Sequence, residues 1–144
     1  MSTFEVLESY VSLRRRIALL RAASSKDLEL GHNQVSILYR LLISTATMGD
    51  LAAYAATDKA SVSRTVSSLE KEGFVKRVPS KEDRRVIFIE LTTKGRSHAL
   101  AAQKIRNSIG KKVEYALTAS EKKQFAALSK KITDHLDSLS SESE

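Results

Sequence analysis

The chain has 144 residues, of which 42% are hydrophobic and 28% charged, and its formal net charge is +7. This length suits one domain with its own core. The charge favours an anionic partner, although the charge balance alone does not separate nucleic acid from a membrane surface or from general solubility. Because cysteine is absent, thiol catalysis, disulfides, cysteine-ligated zinc and cysteine-based redox sensing are excluded. No apolar run approaches the roughly 20 residues of a membrane-spanning helix, and the first residues lack a secretory pattern, so we expect a soluble, cytoplasmic protein with no membrane partner.

Apolar residues three and four positions apart predict helices along most of the chain. Residues 4 to about 24 form the first predicted amphipathic helix, and a second is predicted from about residue 35 to 44. Thr47 and Asp50 have the spacing of a capping box, which opens a short alanine-rich helix that continues through Ala55.

A fourth helix is predicted directly after that one. Asp58 is expected to be its N-cap, and Gly73 stands where a left-handed residue would end it. Three apolar residues form its inward stripe: Val62, Val66 and Leu69. At about 100° per residue, the opposite face is centred on Ala60, Arg64, Ser67 and Lys71, with further serines on both sides.

The segment after Gly73 changes character, because FVKRV and VIFIEL are rich in β-branched and aromatic residues and enclose a charged turn. This pattern predicts a hairpin, with Pro79 at the exit of the first strand and with Ile87, Ile89 and Leu91 on one face. Two more helices follow. The first begins at Thr92 or Thr93, and the second carries an apolar stripe of Phe125, Leu128, Ile132, Leu136 and Leu139.

The order of these elements is that of a winged helix-turn-helix, in which one helix docks in the major groove of DNA and the hairpin lies along the backbone. We therefore predict a mainly α fold with a small β-hairpin and with dimerisation helices at both ends. Charge placement agrees with this prediction. Ten basic residues stand against six acidic ones in residues 58–96, compared with six against five in 1–57 and eight against six in 97–144.

Two groups of side chains are candidates for DNA contact. Small hydroxyls on the fourth helix would let it approach the bases closely, and Arg64 could bind guanine through two hydrogen bonds. An arginine at the tip of the hairpin could enter a narrow minor groove, with a neighbouring carboxylate to direct it. Taken alone, either group could be ordinary solvated surface, but their adjacency favours nucleic-acid binding.

The segment DLAAYAATDKASVSRTVSSLEKEGFVKRVPSKEDRRVIFIELTTKG resembles the core of the MarR family of bacterial transcription regulators. The resemblance includes the DKASVSRTVSSLEKEGFV helix, the DRR tip and the LTTKG segment, in that order. It implies that Arg85 is the minor-groove residue of the wing. One departure is Ala56, which occupies a turn position where the family often has glycine, and alanine tolerates a positive φ poorly. Together the residues and the resemblance predict DNA contacts by Lys59, Ser61, Ser63, Arg64, Thr65, Ser67, Lys81, Asp83, Arg84 and Arg85.

The predicted organisation is a single domain over residues 1–144. Its winged DNA-binding core spans about 33–95, its helical dimerisation region spans about 1–30 and 96–140, and residues 141–144 are expected to fray. The apolar stripes of the terminal helices predict a homodimer that presents two recognition helices to a pseudo-palindrome. An intrachain helical bundle could cover the same stripes instead.

Many MarR-like proteins release DNA when a small aromatic acid binds between the dimerisation helices and the winged domain. By that resemblance the conceivable effector contacts are Arg16, His32, Tyr39 and Arg40, although for each of them a core-capping or solvated side chain is the more common explanation. The three histidines, His32, His98 and His135, are far apart in sequence, and glycine-rich phosphate loops are absent. We therefore expect no metal site, no cofactor and no enzymatic activity.

The leading hypothesis is a sequence-specific, double-stranded DNA-binding transcription regulator, acting as a ligand-responsive repressor. Two alternatives use the same fold: a nonspecific or architectural DNA-binding protein, and a winged-helix module that binds another protein.

Overall fold

A computed structural model describes residues 3–24 and 26–141, and residues 1–2, 25 and 142–144 lie outside the description. The predicted fraying of 141–144 therefore falls outside the described residues, except for Ser141 at the end of the last helix. Six α-helices and three strands follow one another in the described ranges: α1 (Thr3–Ser24), α2 (His32–Ile43), β1 (Ala46–Thr47), α3 (Met48–Ala55), α4 (Lys59–Lys71), β2 (Val75–Pro79), β3 (Ile87–Leu91), α5 (Thr93–Tyr115) and α6 (Ala119–Ser141). No helix in the described ranges combines the length and the hydrophobicity of a bilayer-spanning segment.

The chain divides into two units, Met1–Asn107 and Ser108–Glu144. The first unit contains the hydrophobic core, which joins α2, α3, α4 and the strands. Its largest fully buried side chains are Leu38, Leu51, Leu69, Ile89, Val62 and Val66. The burial of Val62, Val66 and Leu69 confirms the inward stripe predicted for α4. The opposite side of that helix therefore faces outward.

The strands form one antiparallel sheet in the order β1-β3-β2. The predicted hairpin is confirmed, with Arg77 of β2 opposite Ile89 of β3. The two-residue β1 was not predicted, because two residues carry no periodicity; its Ala46 pairs with Ile89 from the other side. The predicted apolar face of β3 is only partly correct, since Ile89 is buried but Ile87, beside the hairpin tip, is exposed.

The predicted helix caps are confirmed. The backbone N–H of Thr47 donates to Asp50 Oδ2 at 2.9 Å, and the Asp50 N–H donates to Thr47 Oγ1 at 3.2 Å, which completes the capping box of α3. At the start of α4, Asp58 Oδ1 accepts the backbone N–H of Ser61 at 2.8 Å. These caps fix where both helices of the helix-turn-helix begin.

The turn between α3 and α4 contains a residue in the left-handed region. Ala56 has φ 49° and ψ 47°, and the N–H of Thr57 donates to the carbonyl of Ala52 at 3.2 Å. The chain therefore makes the turn that the family often builds with glycine, although the Cβ of alanine makes this conformation costly.

The start of α5 is fixed to the end of α4 and the start of β2. Thr92 Oγ1 lies 2.6 Å from the carbonyl oxygen of Gly73 and accepts the N–H of Gly95 at 3.0 Å. A Cβ added to Gly95 would lie 1.8 Å from the carbonyl oxygen of Phe74, so no side chain fits at this position. Lys94 Nζ also donates to the carbonyl of Glu72 at 2.7 Å.

The terminal helices leave their apolar side chains exposed. On α1, Phe4 is 72% exposed, and Leu7 is similarly open. Every residue of the stripe predicted on α6 is also exposed. These two helices therefore bury little of their own apolar surface within one chain.

Candidate nucleic-acid interface

Helix α4 carries most of the residues predicted to contact DNA. Lys59, Arg64 and Ser67 are exposed, and Ser61, Ser63 and Thr65 are half-buried. Because small side chains surround one long arginine, the helix backbone could approach the floor of a groove. The structure therefore brings these six predicted residues together on one helix.

Three side chains at the start of α4 form a hydrogen-bonded chain. Ser61 Oγ donates to Asp58 Oδ2 at 2.9 Å, and Arg64 Nη2 donates to Ser61 Oγ at 2.9 Å. The backbone N–H of Ser61 and then its hydroxyl lower the pKa of Asp58 below its usual value. The carboxylate is therefore ionised at neutral pH and is a strong acceptor for the serine hydroxyl.

Two other hydroxyls of α4 donate to groups of the protein itself. Thr65 Oγ1 donates to the backbone carbonyl of Ser61 at 3.1 Å. Ser68 Oγ donates to Glu72 Oε1 at 2.9 Å, and Gln34 Nε2 of α2 donates to the same carboxylate oxygen at 3.2 Å. The second network ties α2 to the later part of α4.

The wing, which is the hairpin of β2 and β3, is joined to α4 by an ion pair that was not predicted from the sequence. Arg77 Nε of β2 donates to Glu70 Oε2 at 3.0 Å, and Arg77 Nη2 lies 3.4 Å from Ser67 Oγ. The available signal was an acid and a base seven residues apart on either side of the helix-ending Gly73. The pair ties β2 to the helix that bears the predicted DNA-contacting face.

The tip of the wing holds its arginine in a defined direction. Arg85 Nε donates to Asp83 Oδ1 at 3.1 Å and Nη2 donates to Asp83 Oδ2 at 3.2 Å, while the Arg85 side chain remains 91% exposed. The Arg85 guanidinium, followed by its backbone N–H, lowers the pKa of Asp83. Lys81 and Arg84 are exposed on the same turn. The predicted wing residues therefore form one basic tip in which a carboxylate orients Arg85.

The structure separates the four predicted effector contacts. His32 and Tyr39 line a cavity of about 70 Å³, whereas Arg16 lines a different groove on α1. Arg40 Nη1 instead donates to Ser44 Oγ at 3.1 Å. The residues lining the cavity come from α1, α2, α3, α5 and the segment before α2: Arg21, Leu28, His32, Val35, Ser36, Tyr39, Tyr54, Ala102, Ile105 and Arg106.

The cavity has a cationic and aromatic character. Arg21 Nη1 lies 3.1 Å from His32 Nδ1, and the guanidinium of Arg106 stands 4.5 Å from the centroid of the Tyr39 ring. Burial, followed by the charge of Arg21, lowers the pKa of His32, which keeps the imidazole neutral at pH 7. Sequence reasoning missed Arg21, Tyr54 and Arg106 because nothing in their spacing brings them to one place.

No group of three or more metal-ligating side chains occurs among residues 3–24 and 26–141. The features present in the described chain are a cap-fixed helix with a serine-and-arginine face, an arginine-tipped wing and a small cavity. A helix-turn-helix followed by such a wing defines the winged-helix class of DNA-binding proteins.

Comparison with known proteins agrees with this class. The model of the MarR family matches residues 28–86. The uncharacterized HTH-type transcriptional regulator YwhA of Bacillus subtilis is 30% identical over 96 residues, which is 67% of this chain and 68% of YwhA. The HTH-type transcriptional regulator PrsX of Escherichia coli is 35% identical over 83 residues, or 58% of this chain, and the match spans about half of PrsX (50%).

Similarity to solved structures covers nearly the whole chain. The crystal structure of the S. aureus MepR–DNA complex has a TM-score of 0.80 to this chain, with 20% identity, and the match covers 94% of this chain and 99% of MepR. The chain belongs to the MarR family of transcription regulators.

Proposed function

We propose that this protein recognises a specific double-stranded operator as a homodimer and represses transcription by blocking polymerase. The proposal is carried by Arg64, which stands exposed on the outward face of α4 with Ser63 and Ser67 on either side. A guanidinium in this position can form the two-hydrogen-bond contact that distinguishes guanine in the major groove. Arg85 at the wing tip would add a contact to the adjacent minor groove.

The exposed stripe of α6 supports the homodimer. Its five large apolar side chains face solvent in the single chain, and a second copy would cover them with the same surface. A twofold axis between the copies would present two α4 helices, as recognition of a pseudo-palindromic site with half-sites about one turn of DNA apart, roughly 34 Å, requires.

The cavity beside α2 supports control by a small aromatic acid. Arg21 and Arg106 could pair with a carboxylate, and the rings of Tyr39 and Tyr54 could pack on an aromatic ring. Because Tyr54 belongs to α3, which leads directly into α4, a ligand that moved this ring would act on the recognition helix.

The ligand proposal has a direct test. Benzoate at millimolar concentration should weaken operator binding by about tenfold, the size of a typical coupling between two sites. Replacing Arg106 with methionine keeps the aliphatic packing but removes the charge, so Arg106→Met should abolish the benzoate effect and leave binding without benzoate unchanged. A benzoate effect of equal size in Arg106→Met would contradict this use of the cavity.

Base recognition is tested by selecting a duplex from a randomised pool with the wild-type chain and measuring its affinity by fluorescence anisotropy at several salt concentrations. Arg64→Ala should weaken binding by about 1–3 kcal/mol and remove the base preference at one position of each half-site. Arg96→Ala, which removes an exposed arginine from α5, is the matched control and should change affinity by less than about twofold.

Other outcomes would favour the alternative functions. Equal affinity of the wild-type chain for the selected duplex and a random duplex would favour a nonspecific or architectural DNA-binding protein. Failure to retain any duplex at about 50 mM salt, where phosphate contacts are strong, would favour a protein-interaction module.

A further inference from the structure

The recognition helix α4 carries five hydroxyl side chains: Ser61, Ser63, Thr65, Ser67 and Ser68. A hydroxyl has one proton to donate. Three of these protons are already donated within the protein, to Asp58, to the Ser61 carbonyl and to Glu72. The hydroxyl of Ser67 accepts a long hydrogen bond from Arg77 and keeps its own proton. On α4, Ser63 and Ser67 therefore keep hydroxyl protons that could be donated to DNA.

We infer that Ser61 is a positioning residue for Arg64 and that its hydroxyl does not bind DNA itself. The inference rests on the proposed function, in which Arg64 contacts a base. Ser61 Oγ donates to the Asp58 carboxylate and accepts from Arg64 Nη2, both at 2.9 Å. Its proton is thus committed to the carboxylate, and a lone pair faces the guanidinium.

Asp58 cannot easily turn away from this arrangement. Its other oxygen, Oδ1, caps α4 by accepting the backbone N–H of Ser61 at 2.8 Å. The cap holds the carboxylate, the carboxylate orients the hydroxyl, and the hydroxyl holds the arginine. The position of the Arg64 guanidinium therefore depends on Ser61, and the position of the Ser61 hydroxyl depends on Asp58 in the turn before α4.

Arg64 remains able to bind a base while it is held. Its guanidinium has five N–H donors, of which one is used by Ser61, so the remaining four include the pair needed for guanine. An arginine loses much side-chain freedom when it enters a groove, and restricting it beforehand reduces that entropic cost. Ser61 should accordingly affect affinity and base preference through Arg64 alone.

A double-mutant cycle tests this dependence. The probe is a 30-base-pair duplex selected from a randomised pool by the wild-type chain, and the proteins are wild type, Ser61→Ala, Arg64→Ala and the double variant. We expect Ser61→Ala to weaken binding about 3–10-fold, as for loss of one ordinary hydrogen bond at an exposed site. The double variant should bind within about twofold of Arg64→Ala, since Ser61 would have nothing left to position.

Two further variants separate positioning from general effects on structure. Ser61→Thr retains the hydroxyl and should restore affinity to within about twofold of wild type. Ser63→Ala, which removes a hydroxyl free to donate, should weaken binding by the same factor with and without Arg64, as an independent contact does. Alanine at position 61 keeps the backbone N–H that Asp58 accepts, so thermal unfolding should be unchanged within about 2 °C.

The inference is overturned if the losses of affinity caused by Ser61→Ala and by Arg64→Ala multiply in the double variant, because Ser61 would then contact DNA itself. It is equally overturned if Ser61→Ala binds the selected duplex as well as wild type does. A failure of the proposed function looks different: either the pool yields no preferred sequence, or Arg64→Ala alone has no effect. In that case the inference about Ser61 is overturned as well, because Ser61 has no base-contacting arginine to position.

Discussion

The winged core buries its large apolar residues, whereas the terminal helices α1 and α6 leave most of theirs exposed. In the core, Leu38, Leu51 and Leu69 are completely buried within a single chain. On α6, Leu128 and Ile132 are more than half exposed. The core therefore buries its apolar residues within one chain, whereas burial of the apolar surface of the terminal helices requires a further surface.

A charge placed on the α6 stripe is expected to have the largest effect. In Ile132→Asp, formation of the proposed homodimer would bury a carboxylate, which should weaken association by at least about 3 kcal/mol, roughly 100-fold. The winged core should remain folded, because none of its buried residues lies on α6. Sedimentation equilibrium measures the association, and circular dichroism measures the fold.

The control for this variant lies on the same helix. Ala127 is about 140° around the helix from Ile132, at about 100° per residue, and is exposed. Ala127→Asp should therefore leave association unchanged within about threefold. Equal association of wild type and Ile132→Asp would show that the α6 stripe is not a dimer interface.

Within the core, the largest effect is expected at Gly95. Its missing side chain lets α5 begin against the Phe74 carbonyl, and an added Cβ would overlap that oxygen. Gly95→Ala should lower the free energy of unfolding by about 2–3 kcal/mol, as overpacking typically does. Urea denaturation measures this change.

Gly49→Ala is the matched control for Gly95→Ala. A Cβ at Gly49 would meet its nearest neighbours at 3.8 Å, an ordinary contact. This position lies in the first turn of α3, where alanine is compatible with the helix, so stability should stay equal or rise by up to about 0.5 kcal/mol. Similar losses in both variants would contradict the close approach described for Gly95.

A smaller and opposite effect is expected at Ala56. Glycine would relieve the left-handed strain of about 1–2 kcal/mol but would add freedom to the unfolded chain. The net prediction for Ala56→Gly is a gain of about 0.5–1 kcal/mol in the free energy of unfolding. Ala53→Gly, within the regular helix α3, should lose about 1 kcal/mol instead. A loss in Ala56→Gly would mean that residue 56 is not left-handed in solution.

Features that depend on neighbours in the sequence were predictable. The capping box of Thr47 and Asp50 and the Asp58 cap were predicted correctly, because a cap and its partner lie three residues apart. The inward stripe of α4 was also predictable, since helical periodicity alone places it. The fold class follows from these local elements taken in order.

Features that depend on distant residues were not predictable. The cavity joins Arg21 of α1 to Arg106 of α5, and no periodicity links positions so far apart. The Arg77–Glu70 pair crosses from β2 to α4, so it depends on how the wing packs. Serines on α4 were recognised as one group, but the sequence does not say which hydroxyl has already donated its proton.

The order of the sheet also bears on how copies of this protein can aggregate. One outer edge is β1, which is only two residues long, and the other is β2, which carries Lys76 and Arg77 and ends in Pro79. Short length, positive charge and a proline without an N–H each discourage strand addition by another molecule. Even at high concentration, the wing should resist edge-to-edge polymerisation into fibrils.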